Sequence, residues 1–250
     1  MNPKGNTALI TGGAHRVGKA ITVALARAGA NVVINYNTSA KAADDTVAEA
    51  RALGVKALAF QANVGNHHEV ERMVRAAETH FGCVDILVNN ASLWMETPFP
   101  TDDLDDWHRV TNILINGAFY CANAVAPLML KNRDGAIINI IDLAAYEPWP
   151  NFVAHSVGKS ALLALNRQLA LELAPHVRVN AVAPGPVLPP VDYSQQKIAR
   201  VAQKTLLERW GKPEDIAEAV LFFTKSNYIT GEALAVDGGQ RIAYRKNEHG

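Results

Sequence analysis

The sequence has few cysteines, no excess of either charge and no long uninterrupted run of apolar residues. Its two cysteines, Cys83 and Cys121, lack metal-ligand spacing, and no signal peptide precedes the first predicted strand. We therefore expect a reducing, cytoplasmic setting. The 24 Lys and Arg residues balance 24 Asp and Glu residues, so neither nucleic acid nor an anionic membrane is indicated as a partner. No apolar run approaches the roughly 18 residues that cross a bilayer.

Two adjacent histidines are the feature that most invites a metal site. His67 and His68 stand together, but no third ligand follows at a suitable spacing. Because zinc sites take three or more protein ligands, we expect a solvated helix start and no bound metal.

The apolar content, in contrast, is high. Hydrophobic residues make up 49% of the 250 residues, enough for one α/β domain to bury a large core. Short apolar runs alternate with helical stretches, and no linker or low-complexity tract interrupts them. We therefore predict a single domain over residues 1–250, with a mobile polar tail from about residue 245.

Residues 7–36 form the most informative stretch. A short apolar run is followed by a glycine turn, an amphipathic helical stretch and a second apolar run that ends at Tyr36. Gly12 and Gly13 allow close backbone approach, and the free N–H groups at the helix start near Arg16 favour an anion such as a pyrophosphate. This βαβ pattern predicts a doubly wound, Rossmann-type α/β fold with a seven-stranded parallel sheet, helices on both faces and a dinucleotide site.

The end of the second predicted strand indicates which dinucleotide would bind. The segment from Asn35 to Ser39 contains no carboxylate. An Asp or Glu there would accept a hydrogen bond from the ribose 2′-OH of NAD and would repel a 2′-phosphate. The absence of a carboxylate, together with Arg16, favours NADP(H). The alternatives are an ordinary turn with nothing bound and a solvated arginine.

A helix predicted over about residues 152–174 carries polar side chains on an otherwise apolar line. The line runs through Leu173, Leu169 and Leu162 and continues toward the helix N-terminus through Lys159 and His155. We expect both polar side chains to emerge near the carboxyl ends of the strands, where Asp142 and Asn90 also lie. The alternative is a partly exposed first turn whose polar groups meet only solvent.

Several motifs together resemble the short-chain dehydrogenase/reductase family over nearly the whole chain. They are Thr11-Gly12 with Gly18, Asn89-Asn90-Ala91, Asp142, Lys159, Pro184-Gly185 and Val236-Asp237-Gly238-Gly239. Within this family the sequence is most similar to the pteridine reductases and dihydropteridine-type reductases. Those enzymes carry an Arg at the position of Arg16, an aromatic at that of Trp94, and an Asp in place of the usual catalytic Ser.

The resemblance implies an NADP(H)-dependent reductase that transfers hydride to a flat pterin-like or carbonyl substrate. The implied catalytic residues are Asp142, His155 and Lys159. The candidate substrate contacts are Ser92, Trp94, Tyr146 and Tyr193. The implied cofactor contacts are Gly12, Arg16, Val17, Gly18, Tyr36, Asn37, Thr38, Ser39, Asn63, Val64, Asn90, Ala91, Ser92, Lys159, Pro184, Gly185 and Val187.

Two departures from the family put this mechanism in question. The position of the family's catalytic Tyr holds His155, and that of its helix Asn holds Leu114. An imidazolium donates a proton more readily near neutrality than a phenol, but its nitrogen lies about 2 Å closer to the backbone. The proton donor is therefore His155, Asp142 acting with a water, or Tyr146.

Two other readings of the function remain open at this point. One is a non-catalytic dinucleotide-binding protein, a sensor or scaffold that has lost its proton donor. The other is a reductase of a 3-oxoacyl thioester or a simple ketone. In each case the resemblance implies a homo-oligomer, a tetramer or dimer, formed through the helices around residues 107–130 and 152–174 and the last strand.

Overall fold

The computed structural model describes residues 1–190 and 192–243, and these form one parallel sheet covered by helices. The strands are β1 (Thr7–Ile10), β2 (Asn31–Tyr36), β3 (Ala57–Gln61), β4 (Ile86–Asn89), β5 (Gly135–Ile140), β6 (Val177–Pro184) and β7 (Ala233–Val236). The described strands lie in the order β3-β2-β1-β4-β5-β6-β7, and every pairing is parallel. This is the predicted seven-stranded, doubly wound α/β fold, and the strand order reverses between β1 and β4.

Eight α-helices connect the strands of the described region. They are α1 (Arg16–Arg27), α2 (Ala40–Ala52), α3 (His67–Phe81), α4 (Asp105–Thr111), α5 (Ala118–Asn132), α6 (Val153–Leu173), α7 (Gln195–Ala202) and α8 (Pro213–Lys225). A π-helical segment, Asn112–Gly117, joins α4 to α5. Short 3-10 turns follow β5 at Leu143–Ala145 and β7 at Gln240–Ile242.

The alternation of side chains along each strand divides the core into two layers. Ala8 and Ile10 of β1 pack with helices α1, α2 and α8, whereas Leu9 packs on the opposite face with α3, α5 and α6. Strands β1 and β5 are buried along their whole length. Because helices cover both faces of the sheet, the sequences of these strands are nearly continuous runs of apolar residues.

The long predicted helix around residues 107–130 is not one regular helix. The structure divides it into α4, the π-helical segment and α5. Within this stretch the backbone passes close to a neighbour, since a Cβ on Gly117 would lie 2.8 Å from Val64 Cγ2. The 3.6-residue period of the sequence does not reveal such a local change in winding.

The stretch Asp105–Asn132 is also long and apolar enough to cross a membrane by length and composition alone. In the fold it packs against the sheet and against α3 and α6. Cys121, Val125 and Met129 on its sheet side are fully buried, which is the burial expected of a core helix in an α/β domain. The polar tail predicted from about residue 245 lies outside the described residues.

A chain of buried amides links the centre of the sheet to α6. Asn89 Nδ2 donates to Asn139 Oδ1 at 2.9 Å, and Asn139 Nδ2 donates to Asn166 Oδ1 at 3.0 Å. Asn139 interrupts the apolar run of β5 and is fully buried. Its amide is therefore satisfied on both sides, as a buried polar group must be.

We expect Asn139→Leu to lower the free energy of unfolding by about 2–4 kcal/mol, because it removes the hydrogen bond to Asn166 Oδ1 and the shorter of the two that Asn89 Nδ2 donates. Chemical denaturation measures this change. Asn132→Leu, at an exposed position at the end of α5 where the amide donates to Cys83 Sγ, is the matched control and should stay within about 1 kcal/mol of wild type. Equal stability of the two variants would contradict the importance of the amide chain.

Candidate active site

Asp142 and His155 form a hydrogen-bonded pair at the carboxyl edge of the sheet. Asp142 follows β5 and caps the short turn after it, where its Oδ1 accepts a hydrogen bond from the Ala144 N–H at 2.9 Å. His155 lies in the first turn of α6, and its Nε2 is 2.7 Å from Asp142 Oδ2. The His155 residue is only 1% exposed. The contact therefore joins an imidazole and a carboxyl group largely shielded from solvent.

Lys159 lies one helical turn after His155 and is 3% exposed. Its Nζ donates to the Ile140 carbonyl oxygen at 2.9 Å. Burial lowers the pKa of the Lys159 ammonium, and the negative charge of Asp142 offsets part of this effect. The ammonium is thus held inside the domain beside a carboxylate of opposite charge.

The same contacts set the charge of Asp142. Burial raises the pKa of its carboxyl group, but the hydrogen bond from His155, the charges of Lys159 and His155 and the Ala144 N–H together outweigh burial. The net result is a pKa below the ordinary value. At neutral pH Asp142 is therefore an ionised acceptor, and the hydrogen between the two side chains belongs to His155 Nε2.

Aromatic side chains surround the His155 ring. The Trp94 ring centroid lies 5.0 Å from that of His155 at an interplanar angle of 72°, and the Trp149 ring lies 5.8 Å away and nearly parallel, at 13°. Trp94 also packs on Phe152, with ring centroids 4.6 Å apart, and remains 56% exposed. Sequence reasoning singled out Trp94 but missed Trp149, which lies in an irregular loop without a periodic signal.

The segment that carries Trp94 is tied to the start of α6. Thr97 N–H donates to the Asn151 carbonyl at 2.7 Å, and Thr97 Oγ1 accepts from the Ala154 N–H at 2.9 Å. Thr97 is buried. These bonds hold the segment after β4 against the helix that carries His155 and thereby place Trp94 over the pair.

The glycine turn after β1 lies beside the chain that follows β4. Asn90 Nδ2 donates to the carbonyls of Thr11 and Gly12 at 2.9 and 3.1 Å. Gly12 has a φ of +61°, and a Cβ on Gly18 would overlap the Gly12 carbonyl oxygen. The backbone is therefore packed so closely that these positions need glycine, and the first turn of α1 faces the space beyond them. This arrangement fits a dinucleotide pyrophosphate.

Arg16 bridges the two sides of this cleft. It opens α1 with a φ of +48°, and its Nη2 donates to the Leu188 carbonyl oxygen at 3.0 Å. The neighbouring Val17 is partly buried. From the sequence, Arg16 is predicted to face an anionic ligand. In the structure its guanidinium also has a protein partner, in the segment after β6.

The remaining predicted cofactor residues lie along the same edge of the sheet. Tyr36 ends β2 and is followed by Asn37, Thr38 and Ser39. Asn63 and Val64 follow β3, Ala91 and Ser92 follow β4, and Pro184, Gly185 and Val187 end or follow β6. A Cβ on Gly185 would lie 2.6 Å from Asp237 Cα, so this position also requires glycine. Because all strands are parallel, their carboxyl ends bring these segments together, but their individual roles stay predictions.

Two aromatic candidates have other partners in the structure. The Tyr146 ring lies 4.6 Å from Arg241 Cζ, and burial raises the pKa of its phenol. The Tyr193 ring lies 3.7 Å from Lys197 Nζ. These contacts favour packing roles on their loops, and a substrate contact by either residue stays a prediction.

Leu114 occupies an apolar position in the π-helical segment. It is buried with Val110 and Ala154, and Trp107 packs against this cluster. A Cβ on Gly158 of α6 would lie 2.7 Å from Leu114 Cδ1. The position that the resemblance assigns to a water-holding Asn is thus filled by hydrocarbon.

The described residues include no candidate metal site. Within residues 1–190 and 192–243, no group of three His, Cys, Asp or Glu side chains is placed to hold a metal ion. The His67 ring instead lies 3.8 Å from that of His68 and 5.7 Å from that of Tyr120.

Comparison with known proteins identifies the class of protein that this fold and site define. Residues 12–241 match the family model described as enoyl-(acyl carrier protein) reductase. The chain is 39% identical over 237 residues to the 3-oxoacyl-[acyl-carrier-protein] reductase of Synechocystis sp., covering 93% of this chain and 95% of that protein. This chain therefore belongs to the short-chain dehydrogenase/reductase family and is an NAD(P)-dependent reductase.

Solved structures agree with this assignment. FolM alternative dihydrofolate reductase 1 from Brucella canis, complexed with NADP, is 33% identical with a TM-score of 0.89, over 95% of this chain and 94% of that one. A putative short-chain alcohol dehydrogenase from Sinorhizobium meliloti is 34% identical with a TM-score of 0.90, over 95% and 97% of the two chains.

We expect Asp142→Asn to lower the free energy of unfolding by about 2–4 kcal/mol near pH 7, because it removes the charge opposite buried Lys159. Since folding lowers the pKa of Asp142, its stabilising effect is fully present above the ordinary value of about 3.9 and is lost as the pH falls through the folded-state value. The difference in unfolding free energy between Asp142→Asn and wild type should therefore become smaller at acidic pH.

Denaturant titrations of both proteins at neutral and acidic pH measure this difference. Asp106→Asn, at an exposed carboxylate paired with Arg109 on the surface, is the control and should change stability by less than about 1 kcal/mol. If the difference in unfolding free energy between Asp142→Asn and wild type is the same at both pH values, folding does not lower the pKa of Asp142.

Proposed function

We propose that this protein is an NADPH-dependent reductase that transfers hydride to a flat, pterin-like or carbonyl substrate, with His155 as the proton donor. The observation that carries the proposal is the 2.7 Å contact between His155 Nε2 and Asp142 Oδ2, one helical turn from buried Lys159. Asp142 follows β5 at the same carboxyl edge of the sheet as the glycine turn and Asn90. A proton donor here would therefore lie at the edge that carries the dinucleotide cleft.

The preference for NADPH over NADH rests on the cleft and on one structural relative. The segment from Asn35 to Ser39 has no carboxylate to repel a 2′-phosphate. Gly12, Arg16 and Gly18 would hold the pyrophosphate at the start of α1. The similar FolM protein of Brucella canis is complexed with NADP. When bound, NADPH supplies the hydride.

The charges of the site favour His155 among the candidate proton donors. Asp142 has a lowered pKa and is ionised, so it accepts a hydrogen bond from His155 instead of donating a proton itself. Tyr146 packs against Arg241 and has a raised pKa. His155 is left as the donor: in its protonated form it would give the Nε2 proton, which Asp142 Oδ2 also accepts, to the nitrogen or oxygen of the substrate that gains negative charge, directly or through one water. The imidazole would then be neutral, with its remaining proton on Nδ1, and Asp142 would remain a carboxylate.

Trp94 supports a flat, conjugated substrate. The residue is 56% exposed, and its ring contacts those of His155, Trp149 and Phe152. A partly exposed indole next to the proposed proton donor is suited to stack on a heteroaromatic ring. The structural relative named alternative dihydrofolate reductase agrees with such a substrate.

A second candidate is reduction of a 3-oxoacyl thioester or a simple ketone. The observation in its favour is the 39% identity to the 3-oxoacyl-[acyl-carrier-protein] reductase of Synechocystis over 93% of this chain. A non-catalytic sensor or scaffold has less support, because His155 is hydrogen-bonded to Asp142 and the charge of buried Lys159 lowers the pKa of the Asp142 carboxyl group.

Exposed apolar side chains support a homo-oligomer. Phe119 on α5, Val157 and Leu171 on α6 and Leu234 on β7 are all exposed. These are the elements through which the resemblance implies assembly into a dimer or tetramer. We propose that they meet another copy of this chain, and that the protein acts on its small-molecule substrate in the cytoplasm.

The test is a turnover panel with NADPH and NADH against dihydropterins, quinonoid dihydropterins and 3-oxoacyl thioesters. We expect NADPH oxidation with a pterin, and a kcat about 10²–10⁴-fold lower in His155→Asn, because loss of a general acid has that effect. The dissociation constant for NADPH should change by less than about threefold.

Lys159→Ala should reduce both turnover and NADPH binding, which separates its role from that of His155. Turnover of the thioester alone would select the second candidate. Binding of NADPH without turnover of any substrate, in folded protein, would favour the sensor reading; in that case His155→Tyr should create activity.

A further inference from the structure

We propose that Trp149 is a positioning residue that holds the His155 imidazole in line with Asp142. Its ring lies parallel to the imidazole within 13°, with the centroids 5.8 Å apart. This offset-stacked arrangement is one that aromatic pairs prefer. The effect of this contact on catalysis rests on the proposed function, but its effect on the His155–Asp142 hydrogen bond can be measured without turnover.

The hydrogen bonds of His155 show why such support is needed. Nε2 bonds Asp142, but Nδ1 is buried and has no hydrogen-bond partner among the described residues. Within the described part of the chain the ring therefore has only one hydrogen bond to fix its orientation, and the rest of the support must come from packing. The nearly parallel Trp149 ring supplies such packing and would keep Nε2 directed toward Asp142 Oδ2.

Trp149 is itself fixed to the turn of helix that carries His155. Its N–H donates to Ser156 Oγ at 3.2 Å, and its carbonyl accepts from the Phe152 N–H at 3.2 Å. Ser156 directly follows His155 in α6. The backbone of Trp149 is therefore tied directly to the first turn of α6.

Trp94 and Trp149 take different roles around the same ring. Trp94 meets the imidazole with its edge at 72° and is more than half exposed, as expected for a residue that contacts substrate. Trp149 is partly buried and lies face to face with the imidazole. Loss of Trp94 should therefore raise KM, whereas loss of Trp149 should lower kcat.

The experiment compares Trp149→Leu with Trp149→Phe, which keeps a flat aromatic face. Because small misplacement of a reacting group has a large effect on rate, we expect Trp149→Leu to lower kcat about tenfold with little change in KM. Trp149→Phe should recover kcat to within about threefold of wild type. Trp94→Leu, measured in parallel, should instead change mainly KM. If Trp149→Leu does not fold, Trp149→Met takes its place.

A second readout needs neither cofactor nor substrate. The proton between His155 Nε2 and Asp142 should give a downfield proton NMR signal in wild type, which His155→Asn removes and so assigns. We expect this signal to persist in Trp149→Phe and to broaden or vanish in Trp149→Leu. A sharp, unshifted signal in the Leu variant, or no signal in wild type, would overturn the proposal. Because this signal does not require turnover, failure of the proposed reductase activity would be recognised separately.

Discussion

The hydrogen bond between His155 and Asp142 is the interaction on which the chemistry of this protein depends. It supplies a buried imidazole with an acceptor and gives a buried carboxylate part of the stabilisation that keeps it ionised. Lys159 adds a positive charge nearby, and Ala144 adds a backbone donor. Without this contact the Asp142 carboxylate would lose the interaction that opposes its burial most strongly.

The fold explains how these groups meet. Parallel strands place their carboxyl ends on one edge, so Asp142 after β5 lies on the same edge of the sheet as the glycine turn after β1 and Asn90 after β4. Helix α6 starts at this edge, and His155 and Lys159 on its buried side face Asp142 and the end of β5. The amides of Asn89, Asn139 and Asn166 connect the same strands to α6 further inside.

Much of this architecture could be predicted from the sequence. Alternating apolar runs and helical periods predict the parallel sheet, and the line through Leu162, Leu169 and Leu173 places His155 and Lys159 on a buried face. The sequence could not predict the contact of Trp149 with His155, because its loop has no periodic pattern. It could not predict the contact of Arg16 with Leu188 either, because 172 positions separate the two residues. The π-helical segment around Leu114 also has no pattern that separates it from a regular helix.

The most direct test of the account is the solvent deuterium isotope effect on the rate of NADPH oxidation in a single turnover with a pterin substrate. If His155 donates its proton as hydride arrives, wild type should react more slowly in D₂O than in H₂O. The residual rate of His155→Asn should lose this dependence or show a distinctly different one. An isotope effect of the same size in both proteins would contradict the assignment of His155 as proton donor.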